Sequence, residues 1–474
     1  MTATSPSSPQ QIDSSCRLPL FVLFGGAAVW LALSSFFGVA ASMTFHKPAM
    51  FADCAVFTYG RAYPAWSNLL AYGFCIPIGL GVGLWLLARL GRVEISQPWL
   101  IAVGAKLWHF GVLVGLIGIL TGGSTGHEWL EMPRYAAVIL FFAFLLITIR
   151  AFVLHHGRNE RALYPSQWFV LAALFWFPWI FSTATLLLQF FPVRGMTQAA
   201  IAWWYSGNLL VVWLGLIGLA ATFYFLPKIL ERPLQSHYLA LFVFLTLILF
   251  GTWTGIPAGV ALPAWMPALS SSAKALMLVP VLAVVTILVL TARGPKVACG
   301  GGSLCFTKFG VWSFALAGLL LAITVCPDFS QLVKFTWFNH GQTTLQIFGF
   351  FAMTMFGAVY YILPRIVGKE TCPRRVRGHF WLGVIGTLLF ALPLVGGGII
   401  QGFKWLDASV STLDVAKSAL MPFRVSTVGE LLLLIGNLLF LFNVGSVICC
   451  WYWAIYKKCR VELTTEFEPA EVKP

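Results

Sequence analysis

Twelve long apolar stretches, separated by short polar segments, dominate the sequence. Each stretch is long enough to cross a lipid bilayer as an α-helix, for which about 20 residues suffice. Because lipid offers no partner for backbone N–H and C=O groups, such segments must hydrogen-bond internally as helices. No large polar insertion interrupts the series, so we expect an all-α integral membrane protein with twelve transmembrane helices. The predicted spans are residues 18–41, 66–90, 99–121, 134–154, 166–191, 200–229, 237–259, 272–292, 306–326, 340–366, 379–401 and 423–456.

The composition excludes several classes of protein. Hydrophobic residues make up 59% of the 474 residues and charged residues only 10%, which is typical of a polytopic membrane protein. The net charge is +14, but the basic residues lie mostly in loops between apolar stretches, which argues for membrane topology and against nucleic-acid binding. The ten cysteines form no C-x-x-C motif, so neither a zinc site nor covalently attached heme is indicated.

The distribution of basic residues predicts the orientation of the chain. When successive loops are assigned alternately to the two sides, 20 Lys and Arg residues fall on the side of the N-terminus and nine on the other, with Lys106 inside a span. The positive-inside rule then places both termini in the cytoplasm of a bacterial-type cell, with the chain in its inner membrane.

These observations divide the chain into three parts. We expect a short polar cytoplasmic N-terminus (1–17), a twelve-helix membrane domain (18–457) and a cytoplasmic tail (458–474). The first apolar stretch, residues 18–41, has no clear cleavage pattern and is predicted to be a retained helix. The acidic end of the tail, residues 462–474, is predicted to be disordered.

One span, residues 340–364, combines length with a repeat of small residues. Its sequence is HGQTTLQIFGFFAMTMFGAVYYILP, in which Gly341, Gly349 and Gly357 recur every eight residues, roughly two helical turns apart. They therefore lie along a stripe of one helix face. Small residues on such a stripe allow a neighbouring helix or a flat ligand to come close.

This span and five other segments resemble subunit I of the heme–copper oxidases, most of all the cbb3 type, which is related to nitric oxide reductase. The resemblance covers about half of the chain and implies the twelve-helix bundle of cytochrome c oxidase subunit I. The matching segments are GRAYPAWSN (60–68), WWYSGN (203–208) with FYFLPK (223–228) and ERP (231–233), WTG (253–255) with ALPAW (261–265), HFWL (379–382) with GIIQG (398–402), and PFRV (422–425) with FNV (442–444).

The resemblance also implies heme b and copper, which active members bind through six histidines, together with a redox tyrosine. Imidazole nitrogen is a ligand for both heme iron and copper. In this sequence all seven positions hold other residues. The low-spin heme ligands fall on Trp66 and Thr344, the high-spin heme ligand on Gln342, the copper ligands on Gly207, Pro257 and Ala258, and the tyrosine on Gly251.

These losses lead to three hypotheses about function. The first is a non-catalytic homologue that binds membrane lipid and another integral membrane subunit or a membrane-bound cytochrome c, within a respiratory electron-transfer complex. The second is an active terminal oxidase or nitric oxide reductase with relocated ligands, for which His109 and His340 are the candidates. The third is a carrier or sensor that uses the emptied core, lined by Lys106, His109 and Gln342.

Each candidate also has a plainer interpretation. Lys106 could extend its ammonium group to the membrane surface, and His109 could bond a helix carbonyl. Polar side chains at Gln342, Thr343, Thr344 and Gln346 could line a cavity or form hydrogen bonds between helices. The bulky Trp66 indole favours a heme space that is filled by protein side chains over one that holds a ligand.

The resemblance extends to one loop, GGSTGHEWLEMP (122–133). It is similar to an acidic turn that helps hold calcium in cbb3 and nitric oxide reductase enzymes, together with a Tyr-Gly segment such as Tyr59-Gly60. Carboxylates on a glycine-rich turn suit a hard cation with oxygen ligands, so we expect a possible calcium site at Glu128, Glu131, Tyr59 and Gly60. The alternative is a salt bridge from one of the two glutamates to Arg61 or Arg134.

Overall fold

Helices account for nearly all of the chain that the structure covers. The computed structural model describes residues 8–51, 53–294 and 302–466. Twelve principal helices follow one another with short connections. They are α1 (Pro9–His46), α2 (Tyr59–Gly91), α3 (Pro98–Leu120), α4 (Arg134–His156), α5 (Pro165–Phe190), α6 (Met196–Ile229), α7 (His237–Gly251), α8 (Trp265–Ala292), α9 (Ser303–Ile323), α10 (Phe338–Val367), α11 (Pro373–Leu406) and α12 (Leu420–Glu466).

Eleven of these helices are long and apolar enough to cross a membrane, which confirms a multi-pass helical membrane protein. The remaining helix, α7, has 15 residues. At 1.5 Å per residue it spans about 22 Å, less than the ~30 Å hydrocarbon core of a bilayer. The prediction of residues 237–259 as one continuous span is therefore wrong for residues 252–259, which are not helical. There the chain leaves the helix at Thr252 and continues as turns to residue 264.

The first and last helices extend beyond the predicted spans. The first helix begins at Pro9, inside the segment predicted as a polar N-terminus, because Ser8 and Gln11 form a reciprocal capping box and Pro9 suits the first turn. The last helix, α12, continues to Glu466, beyond the predicted boundary at 457. The predicted disorder of the tail falls mostly on residues 467–474, which lie outside the described residues.

Three helices form the centre of the bundle. In its most apolar 18-residue window, α2 is 100% buried, α10 is 89% buried and α6 is 83% buried, whereas no other span exceeds 61%. Helix α2 contacts α1, α3, α5, α6 and α10, and α10 contacts α9, α11 and α6. These central helices contain four of the positions where the resemblance places heme or copper ligands, namely Trp66, Gly207, Gln342 and Thr344.

Each central helix widens into a π-helical segment near its middle. The segments are Leu69–Cys75 in α2, Asn208–Trp213 in α6 and Leu345–Ala352 in α10. Each begins within three residues after a vacated ligand position, and π segments in helices are frequently found at functional sites. No periodicity in the sequence predicts them, because a π segment replaces i→i−4 hydrogen bonds without changing the apolar pattern of a fully buried helix.

The glycine stripe of α10 brings neighbouring helices close rather than a flat ligand. A Cβ atom on Gly341 would lie 2.7 Å from the Ala391 carbonyl oxygen of α11. On Gly349 it would lie 2.8 Å from Ser313 Cβ of α9, and on Gly357 it would lie 2.9 Å from the Ser303 carbonyl oxygen. All three distances are shorter than ordinary van der Waals contact, so each glycine is required by backbone packing.

Candidate functional site

Aromatic rings fill the space next to the vacated low-spin ligand position at Trp66. The indole of Trp66 is 5% exposed, and its ring centroid lies 5.5 Å from that of His340 and 5.2 Å from that of Tyr63. A cavity of only ≈ 20 Å³ remains among these rings. We call this group the aromatic cluster; its members are Phe45, Tyr59, Tyr63, Trp66, Trp337, His340, Phe390 and Phe423.

The second low-spin position offers no free ligand atom either. Thr344 is buried, and its hydroxyl donates a hydrogen bond of 2.9 Å to the carbonyl oxygen of His340 one turn earlier. Such a local bond satisfies the hydroxyl within its own helix. A side chain as short as threonine, held in this way, cannot replace an imidazole that reaches toward a metal.

A much larger cavity lies on the other side of α10. Its volume is ≈ 660 Å³, and it is bounded by α6, α8, α9, α10 and the 122–133 loop. We call it the polar cavity. Its lining combines polar and ionisable side chains with apolar ones; the polar and ionisable members are Tyr59, Tyr63, Glu128, Ser206, Thr254, Lys274, Thr324, Thr336, Asn339, His340, Gln342, Thr343 and Gln346.

Three of the vacated positions border this cavity, namely Gly207, Pro257 and Gln342. The amide of Gln342 approaches the carbonyl oxygen of Ala317 at 3.5 Å, and that of Gln346 approaches the carbonyl oxygen of Leu210 at 3.3 Å. Both interpretations of these polar residues therefore hold in part, since they line a cavity and also bond to neighbouring helices.

Backbone packing removes the room for a copper ligand. A Cβ atom on Gly207 would lie 2.7 Å from the Cα atom of Gly255, so the two backbones are in direct contact. The former tyrosine position is closed as well, because a Cβ atom on Gly251 would lie 3.0 Å from Val212 Cγ2. Pro257 and the adjacent Ala258 carry no donor atom.

The residues present therefore do not fit the heme and copper centres that the resemblance implies. One heme position is occupied by packed aromatic side chains, and the positions around the polar cavity carry an amide, glycine, proline and alanine in place of imidazole. Heme iron and copper bind through imidazole nitrogen in the family pattern, and none of these groups supplies it.

His109 uses both ring nitrogens within the protein. Its Nδ1 accepts a hydrogen bond of 3.1 Å from the Trp30 indole, and its Nε2 lies 3.1 Å from the Val22 carbonyl oxygen, to which it donates. The ring also packs against Gly26, where a Cβ atom would lie 2.2 Å from His109 Nε2. His109 is thus an interhelical bridge between α3 and α1. Lys106 is exposed on the outer surface of α3, and neither residue lines the polar cavity.

His340 lies at the boundary between the aromatic cluster and the polar cavity. Its ring is surrounded by those of Tyr63, Trp66, Trp337 and Phe390, with centroid distances from 5.5 to 6.1 Å. The ring is therefore held by aromatic contacts and retains some exposure toward the cavity.

The 122–133 loop closes one end of the central helices. Glu131 is 4% exposed and accepts a hydrogen bond of 2.6 Å from the Asn68 amide of α2. Burial raises the pKa of Glu131 to about 8, because desolvation of the carboxylate outweighs the Asn68 hydrogen bond. Burial also raises the pKa of Glu128, which lines the polar cavity together with Tyr59.

The predicted salt bridge from this loop does not form. Among the described residues, neither Glu128 nor Glu131 pairs with Arg61 or Arg134, since the ion pairs there are Arg89–Asp13, Arg92–Glu160 and Lys417–Asp414. In the same part of the chain, no three His, Cys, Asp or Glu side chains cluster as a metal site would require. The space around Gly60 is open.

Lys274 is a functional candidate that sequence reasoning missed. The orientation count places Lys274 among the nine basic residues of the loops on the second side. It nevertheless falls inside the predicted span 272–292. A lysine inside a predicted span is the signal that could have identified it. In the structure it lies in α8 and lines the polar cavity. Its ammonium nitrogen lies 3.3 Å from the carbonyl oxygen of Ile256, a distance at the long end of the hydrogen-bond range.

A separate buried network joins three residues of the matching segments, Tyr360, His379 and Asn443. The Asn443 amide donates to the Tyr360 hydroxyl at 2.9 Å, and that hydroxyl lies 2.9 Å from His379 Nδ1. His379 is fully buried. The network links α10, α11 and α12, which gives these motif residues a structural role.

Comparison with known proteins agrees with this architecture. The family model described as cytochrome C and quinol oxidase polypeptide I matches residues 19–432. The match covers all of the central helices, the ten helices α2 to α11 in full, most of α1 and the start of α12.

The alignments with curated relatives extend over most of this chain and most of each relative. The bacteroid cytochrome c oxidase subunit 1 homolog of Bradyrhizobium diazoefficiens is 25% identical over 463 residues, which is 90% of this chain and 80% of the relative. The cbb3-type cytochrome c oxidase subunit CcoN1 of Stutzerimonas stutzeri is 23% identical, over 89% of this chain and 92% of the relative. Cytochrome c oxidase subunit 1 of Thermus thermophilus is 23% identical, over 77% and 68%.

Proposed function

The chain belongs to the cytochrome c and quinol oxidase polypeptide I family, and we propose that it is a non-catalytic member that has lost the heme and copper ligands. Its function would be structural, as a subunit or assembly factor of a respiratory electron-transfer complex. One observation carries this proposal. The low-spin heme space next to Trp66 is filled by aromatic side chains, leaving a cavity of only ≈ 20 Å³.

The packing around the copper positions supports the same proposal. A lost histidine could in principle be replaced by a nearby side chain, but Gly207 has no room for one, because its backbone packs directly against that of Gly255. The loss therefore involves the shape of the site as well as its ligand atoms.

We further propose a partner and a place in the cell. The partner would be another integral membrane subunit, a membrane-bound cytochrome c or both, packed against the lipid-facing helices. The chain would cross the bacterial inner membrane twelve times with both termini in the cytoplasm, and α7 would be the short seventh crossing. The excess of Lys and Arg in one set of loops supports this orientation.

The alternative of an active oxidase or nitric oxide reductase requires relocated ligands. His109 is one of the two candidate histidines, and its ring nitrogens are committed to Trp30 and Val22. His340 lines the polar cavity, but it is the one histidine among the described residues of that lining, so no second imidazole is present there to share a metal. The second alternative, a carrier or sensor that uses the emptied core, draws its support from the ≈ 660 Å³ of that cavity. A calcium ion at Glu128, Glu131, Tyr59 and Gly60 stays a prediction.

The subunit proposal is tested by isolating the protein with its partners intact. An affinity-tagged chain is extracted from native membranes in a mild detergent and separated by size, and the components are quantified by mass spectrometry. We expect a stoichiometric complex that contains a second membrane subunit or a c-type cytochrome. A single chain that by itself reduces oxygen or nitric oxide with reduced cytochrome c would contradict the proposal.

A further inference from the structure

The polar cavity contains an ammonium group with too few partners. Lys274 makes one weak contact, at 3.3 Å to the Ile256 carbonyl oxygen, and none of the ion pairs in the described part of the chain includes it. An ammonium group has three N–H donors. Lys274 is half-buried in the cavity wall, and ionisable residues inside membrane spans usually mark binding sites or transport paths.

The other ionisable side chains of the cavity do not neutralise Lys274. Glu128 is its one carboxyl group among the described residues, and no ion pair joins the two. His340, Tyr59 and Tyr63 complete the set of titratable groups that line the cavity.

The wall around Lys274 has an apolar half. Met277 and Val281 follow Lys274 at helical spacing on α8, so the three side chains share one helix face and all line the cavity. Phe314 and Leu321 of α9 continue the apolar surface. The polar half is formed across the cavity by side chains of α6 and α10, such as Ser206 and Gln342. A single cation with an apolar wall matches a ligand with one negative charge and a hydrophobic body.

We propose that the polar cavity binds a monocarboxylate with an apolar body, whose carboxylate pairs with Lys274. The volume of ≈ 660 Å³ lies within the usual range for small-molecule pockets, about 300–1,000 Å³. A dianion would bring one charge more than Lys274 neutralises, so a monoanion is favoured. The proposal rests on the proposed function in one respect, since it requires that heme does not occupy this space.

The test uses benzoate as the probe and benzamide as its uncharged analogue. The purified full-length protein in an uncharged detergent is dialysed to equilibrium against radiolabelled benzoate, with empty micelles as the blank. We expect saturable binding of about one benzoate per chain below about 10 mM, which unlabelled benzoate displaces and benzamide does not. No saturable uptake, or equal displacement by benzamide, would overturn the proposal.

Two matched variants locate the site. Lys274→Met removes the charge and should weaken benzoate binding at least tenfold, because a charge-assisted hydrogen bond is lost. Lys404→Met changes an exposed lysine of α11 and should leave binding unchanged. Unaltered binding by Lys274→Met would overturn the proposal. If Lys274→Met fails to fold, Lys274→Arg keeps the charge and must retain binding.

An absorption spectrum of the same samples separates this proposal from the proposed function. A stoichiometric heme band would show that the proposed function has failed. A heme-free protein that takes up no benzoate would show that the anion site alone has failed.

Discussion

Trp66 is the single residue that best represents the change from the family pattern. An imidazole at this position would point a nitrogen at a heme iron, whereas the indole lies among the rings of Tyr63, Trp129 and His340. Its Cδ1 would lie 2.6 Å from a Cβ atom on Gly38, so the neighbouring helix α1 is shaped around the indole. A buried tryptophan in such contact contributes to stability through its packing.

Trp66→Ala should therefore destabilise the protein strongly. Truncating a buried tryptophan costs roughly 3–5 kcal/mol, because transfer free energy is lost and a cavity remains. The melting temperature in detergent, followed by tryptophan fluorescence, measures the effect. The control is Trp381→Ala on α11, where the indole is 55% exposed. Equal effects of the two substitutions would show that the aromatic cluster is not tightly packed.

Glu131 makes stability depend on pH. Its folded-state pKa of about 8 lies above the usual 4.5, so between these values the folded chain binds more protons than the unfolded chain. Stability contributed by the neutral carboxyl is therefore present below about pH 4.5 and is lost as pH rises toward 8.

Glu131→Gln should remove this dependence. The amide keeps an oxygen that can accept from Asn68 and never becomes charged, so the variant should gain stability over the wild type as pH rises from 5 to 8.5, by on the order of a few kcal/mol. Melting curves at several pH values measure the difference. Glu160→Gln, in a solvent-exposed ion pair with Arg92, is the control and should show no such trend. A constant difference between Glu131→Gln and wild type would refute the assignment.

Single residues were only partly predictable from the sequence. The sequence directly gives glutamine at 342 and glycine at 207, but the assignment of Gln342 and Gly207 to ligand positions rests on the resemblance and stays a prediction. The partners of His109 could not, since Trp30 and Val22 are 79 and 87 residues away in the chain. The position of Lys274 on the cavity wall depends in the same way on how α8 packs.

At the scale of elements, the three central helices form a packed centre that needs no metal ligand to hold it together. Helices α2, α6 and α10 are the most buried spans, and each contains a π segment close to a vacated position. Their contacts are made by glycines and close backbones, which do not depend on heme. The close packing of these helices therefore does not require a bound metal.

The substitution Gly207→Ala tests this close packing. An added methyl group would lie 2.7 Å from the Cα atom of Gly255, and backbone atoms cannot move aside as a flexible side chain can. We expect a loss of about 1–3 kcal/mol, the usual cost of overpacking. Gly396→Ala in α11 is the matched control, because nothing lies within 4 Å of its added Cβ atom. Alanine there should be neutral or stabilising by up to about 1 kcal/mol.

A stability change of the same sign and size in both variants would contradict the argument, since it would show that helix propensity alone governs these positions. The measurement is again the melting temperature in detergent, with size-exclusion chromatography to verify that each variant is folded.

The elements themselves were predictable to different degrees. Apolar length alone located the eleven described helices that are long enough to cross a membrane, because a span must be long and continuous in lipid, but it overestimated the length of α7. Their ends were less predictable. The start of α1 depends on the capping box at Ser8 and Gln11, and the early end of α7 depends on turns at Thr252 that remain apolar in sequence. The pattern of apolar residues predicts neither the capping box nor these turns.

At the scale of the whole molecule, the chain is a membrane bundle of the oxidase subunit I family in which two neighbouring spaces differ. The space beside Trp66 is filled by rings, whereas the space beside Gln342 remains a cavity of ≈ 660 Å³ with a lysine in its wall. Sequence comparison gives the family, and the absence of ligands suggests a loss of redox chemistry. Only the three-dimensional arrangement distinguishes the filled space from the open one.

The central claim is that this chain carries no heme and no copper, and one measurement tests it most directly. The purified protein is examined by its reduced-minus-oxidised absorption spectrum, with metal analysis of the same sample. The account predicts no b-heme bands and no stoichiometric copper. A stoichiometric heme Soret band would contradict it, and His340 would then be the first residue to substitute.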